Sequence, residues 1–217
     1  MREDKLQWRV LLIGGGSGTG KTVVGRALAG RLGISLLLVD DLRLAIQAVT
    51  SPEQHPALHT FVTADSAAMG SPQSVLDGLI AVAEAMAPAV RIVIAHHLVV
   101  AGAGAIIIEG DGLLPHLVSP RHLATLEEFR GVPVAGMVRT LLLHEEDEAI
   151  IRENMIRRGR GFQDMPHAQQ EAMVVGSWQF GQYLYEQAAA NDMPTVPSRP
   201  HGTLLERVMT AMDLGER

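Results

Sequence analysis

Apolar runs of strand length alternate with longer stretches of helical periodicity along this chain. The runs are typical of buried strands, and they lie at residues 8–13, 34–39, 105–108, 133–143 and 195–196. Helical spacing predicts helices at 21–32, 42–49, 74–100, 145–158, 166–191 and 203–214. We expect the third of these helices to be broken or kinked at Pro88. The alternation predicts an α/β fold, in which a parallel five-stranded sheet carries helices on both faces.

Composition narrows the class of protein. Hydrophobic residues make up 47% of the 217 and charged residues 19%, which excludes a disordered chain. The net charge of −6 argues against general binding to nucleic acid or to anionic membranes. Without cysteine there is no disulfide, thiolate metal site or cysteine nucleophile. Because the N-terminus lacks a signal-peptide pattern and the apolar stretch at 92–108 is short for a membrane span, we expect a cytoplasmic protein.

A glycine-rich loop lies between the first predicted strand and helix. It matches the pattern G-x-x-x-x-G-K-[ST], and no glycine triplet has the i, i+2, i+5 spacing of a dinucleotide fingerprint. Glycines let successive N–H groups face one anion, and the following helix directs its positive end there. Lys21 is expected to contact the β- and γ-phosphates and Thr22 to bind Mg²⁺. The predicted nucleotide-phosphate site consists of Gly15, Gly16, Ser17, Gly18, Thr19, Gly20, Lys21 and Thr22.

Acidic residues follow the second predicted strand, at the sheet edge where such folds bind ligands. Asp40 is placed to accept the proton of an attacking hydroxyl while a γ-phosphoryl group is transferred. Arg43, three residues later, would hold a carboxylate or phosphate of the acceptor through paired hydrogen bonds. The alternative is that an aspartate only caps the helix beginning at residue 42, and Asp41 directly precedes that helix.

The third predicted strand ends in a second acid. Ile106, Ile107 and Ile108 lead into Glu109, which suits a carboxylate that orients Mg²⁺ directly or through water. Asp111, two residues later, is the competing choice for this role. Either could also be an ordinary solvated loop residue.

A basic cluster occupies the end of the helix predicted at 145–158. Its members are Arg152, Arg157, Arg158 and Arg160, opposed between 152 and 160 only by Glu153. Guanidinium groups followed by glycines at 159 and 161 favour a lid that closes over transferring phosphoryl groups. We expect Arg157 and Arg160 to contact phosphate and Arg158 to lie beside the acceptor. The alternative is that basic residues simply favour the C-terminal end of a helix.

Taken together, these motifs resemble those of 2-phosphoglycerate kinases and their P-loop kinase relatives, over most of residues 10–160. Besides the phosphate loop, the likeness lies in the acid-x-x-Arg stretch at 40–43, in Pro56-Ala57-Leu58-His59, and in Ile107-Ile108-Glu109-Gly110 followed by Pro115. The resemblance implies transfer of phosphate from ATP to the free hydroxyl of 2-phosphoglycerate, and His59 is expected to border that acceptor. One departure is Gln47, where members of the family often carry a basic residue.

These observations predict a single P-loop kinase domain over residues 1–217. It would contain an acceptor-binding excursion at about 42–72 and a small arginine-rich lid at about 157–168. ATP and Mg²⁺ are the expected cofactors, and a small anionic metabolite with a hydroxyl group is the expected acceptor. The alternative is a nucleotide-hydrolysing switch that acts through a protein partner, although the guanine motif Asn-Lys-x-Asp is absent from the sequence. The oligomeric state stays open.

Overall fold

The computed structural model describes residues 6–62, 69–100, 102–159 and 161–214. The strands are β1 (Val10–Gly15), β2 (Ser35–Leu38), β3 (Ile106–Glu109), β4 (Val138–His144) and β5 (Thr195–Pro197). They form one sheet in the order β2-β3-β1-β4-β5, and each neighbouring pair is parallel. The predicted parallel five-stranded sheet is therefore confirmed.

Helices fill the connections between these strands. The longer ones are α1 (Lys21–Leu32), α2 (Val39–Gln47), α4 (Pro72–Val99), α8 (Glu148–Arg158), α9 (His167–Ala190) and α10 (Leu204–Ala211). Single helical turns form α3 (Pro56–His59), α5 (Pro115–Val118) and α6 (Pro120–Leu123), whereas in α7 (Val134–Met137) the backbone angles of Ala135 and Gly136 are not helical. Turns of 3-10 helix lie at Glu127–Phe129, Phe162–Asp164 and His201–Thr203. The short elements between β3 and β4 were not predicted.

The helices cover both faces of the sheet, as the alternation predicts. Successive side chains of a strand point to opposite faces. Leu12 of β1 therefore packs into the core on the side of α4 and α9, while Leu11 and Ile13 pack on the side of α1 and α10. The C-terminal ends of β1, β2 and β3 meet at one edge, and this edge carries the predicted site.

Three elements begin three or more residues away from their predicted starts. Strand β4 begins at Val138 rather than at 133, because Gly136 has a φ of +81° and the backbone before the strand turns. Helix α2 begins at Val39, so Asp41 lies inside its first turn and is not a cap. Helix α8 begins at Glu148, where the Asp147 side chain accepts a hydrogen bond from the N–H of Ala149 at 2.8 Å.

Helix α4 is continuous through Pro88, so of the predicted break or kink the break is wrong. By length and hydropathy α4 could cross a membrane, yet 39% of its most apolar window is buried inside the protein, where it packs along α9. Gly176 of α9 permits this contact. A Cβ at Gly176 would lie 2.5 Å from the Cβ of Val75 and 2.7 Å from the carbonyl oxygen of Pro72.

Candidate functional site

The predicted phosphate loop connects the end of β1 to the beginning of α1. Gly20 precedes α1 with a φ of +87°, in the left-handed region that favours glycine, and this turn makes Lys21 the first helical residue. Within the loop, the carbonyl oxygen of Gly16 accepts two hydrogen bonds. One comes from Oγ1 of Thr19 at 3.0 Å and the other from the buried ammonium of Lys21 at 2.9 Å.

Glu109 lies opposite the loop, at the end of the neighbouring strand β3. Oγ1 of Thr22 donates a hydrogen bond to Oε1 of Glu109 at 2.7 Å. Burial raises the pKa of Glu109, and the charges of Asp111 and Asp40 act in the same direction. The hydrogen bond from Thr22 and the charge of Lys21 oppose this rise. The structure thus brings together the oxygens of Thr22 and Glu109, the two residues predicted from separate motifs to bind Mg²⁺.

The last turns of α8 lie against the phosphate loop. Nη1 of Arg158 donates to Oγ of Ser17 at 2.8 Å, and Nη2 of Arg157 donates to Oδ1 of Asn154 at 2.6 Å. Arg152 instead forms ion pairs with Glu171 and Glu148. Arg152 therefore connects α8 with α9.

Two features of the predicted lid need separate mention. Arg158 contacts the phosphate loop through Ser17, rather than a residue of the predicted acceptor-binding excursion. Arg160, expected to contact phosphate, lies outside the described residues.

A cavity of about 500 Å³ opens beside the loop. The polar residues of its lining include Lys21, Thr22, Arg157 and Arg158. The lining also contains a histidine and apolar side chains of α1 and α10: Val23, Val24, Ala27, His201, Leu204 and Leu205. Ligand sites commonly have this volume and this mixture of apolar walls with a few polar groups.

Three of the side chains predicted to bind the acceptor lie on α2 and α3. Asp40 is half-exposed in the first turn of α2, and its Oδ1 lies 3.3 Å from Nη2 of Arg43. Nε of Arg43 is buried without a hydrogen-bond partner among the described residues. His59 is buried within the excursion, where its Nε2 lies 3.1 Å from Oγ1 of Thr50. Asp40 and Arg43 thus flank the edge near Glu109, while His59 connects two parts of the excursion.

Comparison with known proteins identifies the architecture. No protein-family model matches the chain, and no curated protein matches its sequence. A gluconokinase from Sinorhizobium meliloti 1021 superposes with a TM-score of 0.50 at 15% identity, over 96% of this chain and 93% of that chain. A protein from Chloroflexus aurantiacus j-10-fl, provisionally named a kinase, superposes with a TM-score of 0.52 at 12% identity, over 97% and 100%. The chain has the P-loop kinase fold.

Two polar residues at this edge of the P-loop kinase fold were missed by sequence reasoning. Asn154 donates from Nδ2 to the carbonyl oxygen of Gly18 at 3.2 Å. Glu145 is buried, accepts a hydrogen bond from Oγ of Ser198 and lies 3.4 Å from Nε of Arg199. Glu145 was assigned to the first turn of a helix, whereas it holds the segment after β5. Neither residue belongs to a local motif, so the sequence carries no short-range signal for either contact.

Proposed function

We propose that this protein is an ATP-dependent kinase of a small metabolite. It transfers the γ-phosphoryl group of ATP to a hydroxyl of a small anionic acceptor, with 2-phosphoglycerate as the first candidate. The observation that carries the proposal is the 2.7 Å hydrogen bond from Thr22 to Glu109. It places an alcohol and a carboxylate, both suited to Mg²⁺, beside Lys21 at the mouth of the loop.

The loop would hold the polyphosphate of ATP. Backbone N–H groups of residues 15–22 and the N-terminal end of α1 supply fixed positive partial charge, and Lys21 adds a full charge. Arg157 and Arg158 bring two further cations to the same cavity. The apolar side chains of α1 and α10 suit the base of the nucleotide.

The residues present fit a magnesium ion. Mg²⁺ is usually held by one or two oxygen side chains, while waters and phosphate oxygens complete its six ligands. Thr22 and Glu109 provide such oxygens, and Asp111 stays an alternative to Glu109. In the part of the chain that the structure describes, no group of three or more His, Asp or Glu side chains could hold a metal. Bound Mg²⁺ would neutralise charge on the phosphates during transfer.

The acceptor would lie over α2. Asp40 accepts the proton of the acceptor hydroxyl. At the same time the hydroxyl oxygen of the acceptor bonds to the γ-phosphorus, and the bond between that phosphorus and ADP breaks. Arg43 holds the anionic group of the acceptor, and its buried Nε has a hydrogen to donate. On this basis residues 42–72 bind the acceptor, and residues 157–168 close over the phosphates.

The number of basic residues in the predicted acceptor-binding segment limits how much negative charge the acceptor can carry. In residues 42–72 the sequence contains one arginine, Arg43, and no lysine. Gln47 stands where 2-phosphoglycerate kinases often have a second basic residue, and its amide donates to the carbonyl oxygen of Leu58. An acceptor with a single carboxylate, such as gluconate, therefore belongs in any test beside 2-phosphoglycerate, and one protein of the same fold is a gluconokinase.

The deciding experiment measures ADP release from Mg·ATP with and without each acceptor. The panel contains 2-phosphoglycerate, gluconate and shikimate-like hydroxy acids. We expect ADP release that requires one of these acceptors, equals the phosphorylated product in amount, and stops when EDTA removes Mg²⁺. Hydrolysis that ignores every acceptor but responds to a protein partner would instead identify a regulatory switch.

A further inference from the structure

Asn154 joins helix α8 to the phosphate loop through both ends of one amide. The side chain is buried, with 4% of the residue exposed, and it lies one helical turn before Arg157. Its Nδ2 donates to the carbonyl oxygen of Gly18 at 3.2 Å, and its Oδ1 accepts from Nη2 of Arg157 at 2.6 Å. One side chain therefore contacts the loop and a cationic residue of the cavity at the same time.

The chemistry of the two partners fixes the orientation of this amide. A carbonyl oxygen only accepts and a guanidinium only donates, so the NH₂ group must face Gly18 and the oxygen must face Arg157. With the amide reversed, its NH₂ group would face the guanidinium of Arg157 and its oxygen would face the carbonyl oxygen of Gly18. Both hydrogen bonds would be lost in a buried place. Space is limited as well, because a Cβ at Gly18 would lie 2.8 Å from Nδ2 of Asn154.

We propose that Asn154 is a positioning residue, which fixes the guanidinium of Arg157 for the phosphates held by the loop. The inference rests on the proposed function, because that function supplies the phosphates. Arg157 is exposed on α8, and a long exposed side chain keeps one orientation only if a fixed partner holds it. A guanidinium stabilises the charge of the transferring phosphoryl group most strongly when it is already held in the correct orientation.

A double-mutant cycle tests this role with wild type, Asn154→Ala, Arg157→Ala and the double variant. The first readout is kcat for acceptor-dependent ADP release. The second is the Kd for inorganic tripolyphosphate by calorimetry, which needs neither an acceptor nor turnover. We expect each single substitution to lower kcat about 10- to 100-fold. The double variant should match Arg157→Ala within about threefold in both readouts, because Asn154 acts through Arg157.

Controls separate positioning from folding. Glu153→Ala, on the exposed side of the same helix, should leave kcat unchanged. Asn154→Ser keeps a polar group at the buried position and replaces the alanine variant if that variant unfolds. If Asn154 has a purely structural role, its effect is independent of Arg157, and the fold-losses in kcat of the two single variants multiply in the double variant. That result would overturn the proposal. If wild type shows no acceptor-dependent turnover, the proposed function is wrong, and the tripolyphosphate cycle still decides the role of Asn154.

Discussion

Oγ1 of Thr22 and Oε1 of Glu109 are joined by a 2.7 Å hydrogen bond between residues 87 positions apart in the sequence. The bond crosses from the first turn of α1 to the end of β3, strands β1 and β3 being direct neighbours in the sheet. The parallel pairing of Ile13 with Glu109 brings this carboxylate to the phosphate loop. The two predicted metal ligands meet because of strand order.

Glu109→Gln should raise the stability of the fold and strongly lower kcat. Burial raises the pKa of Glu109 above its ordinary value of 4.5, so the ionised carboxylate of the folded state is disfavoured at neutral pH. Stability is lost as the pH rises from 4.5 through the raised pKa, since the folded state binds the proton more tightly than the unfolded state. The neutral amide still accepts from Thr22 and avoids this cost. We expect a higher Tm at pH 7 and at least about a 100-fold lower kcat.

Two measurements check this prediction. The Tm difference between variant and wild type should shrink below pH 4.5, where Glu109 is protonated in both states. Asp111→Asn should retain most of the activity if Glu109 is the metal ligand. A lower Tm for Glu109→Gln at pH 7 would contradict the cost assigned to the buried carboxylate.

Asp40→Asn should lower turnover without weakening ATP binding. The amide cannot accept a proton as the carboxylate does, and the loss of a general base typically costs about 10²- to 10⁴-fold in rate. The Kd for Mg·ATP, measured by calorimetry, should stay within about twofold. Asp41→Asn is the matched control, because Asp41 is exposed in the same helical turn. Equal turnover in the two variants would remove Asp40 from the mechanism.

Gly176→Ala should destabilise the fold without touching the site directly. The added methyl group would lie 2.5 Å from Cβ of Val75, and overpacking of this kind costs about 1–3 kcal/mol. Gly181→Ala in the same helix is the control, because no atom lies within 4 Å of the added Cβ. Alanine there should be neutral or stabilising by up to about 1 kcal/mol. Urea unfolding of both variants checks this prediction. Equal midpoints for Gly176→Ala and Gly181→Ala would contradict the tight contact between α4 and α9.

Stability should decline as the pH falls below 6.5, partly because of His144. Burial lowers the pKa of His144, while Glu146 and Glu145 oppose that shift. In the unfolded chain His144 is protonated near pH 6.5, whereas in the folded protein it stays neutral until the pH falls to its lowered pKa. Stability is therefore lost as the pH falls from 6.5 to that lowered pKa. His144→Phe retains a ring to stack on Tyr185, which lies 4.0 Å away between centroids. Its Tm should fall less than that of wild type between pH 7 and pH 5.

The comparison variant for this pH series is His55→Gln, a change at an exposed position. Its Tm should follow that of wild type across the whole range. If His144→Phe also follows wild type, the pH dependence arises elsewhere in the chain.

The sheet and the phosphate loop could be predicted because their signals are local. Helix α1 begins and ends where its motif and Gly33 place it, and each strand overlaps the segment predicted for it. Boundaries failed where tertiary structure overrides local preference. Pro88 stays inside α4 because buried Ala87 and Val90 hold both sides of it in the core.

The contacts of the site were less predictable than its motifs. Asn154 and Gly18 are 136 positions apart, and only the folded arrangement brings them together. The arginine cluster seemed uniform in sequence, yet Arg152 forms ion pairs on α9 while Arg157 and Arg158 face the cavity. A helix directs neighbouring residues to different sides, so a cluster in sequence need not be one in space.

The hydrogen bond from Lys21 to the carbonyl oxygen of Gly16 holds the ammonium at the loop before any anion arrives. An ammonium has three N–H donors, and this bond uses one of them, so an incoming oxygen can bind Lys21 without displacing the carbonyl. A lone sulfate would end its contacts there, whereas a linked chain of phosphates would also reach the backbone amides further along the loop. The loop would therefore select anions by their length.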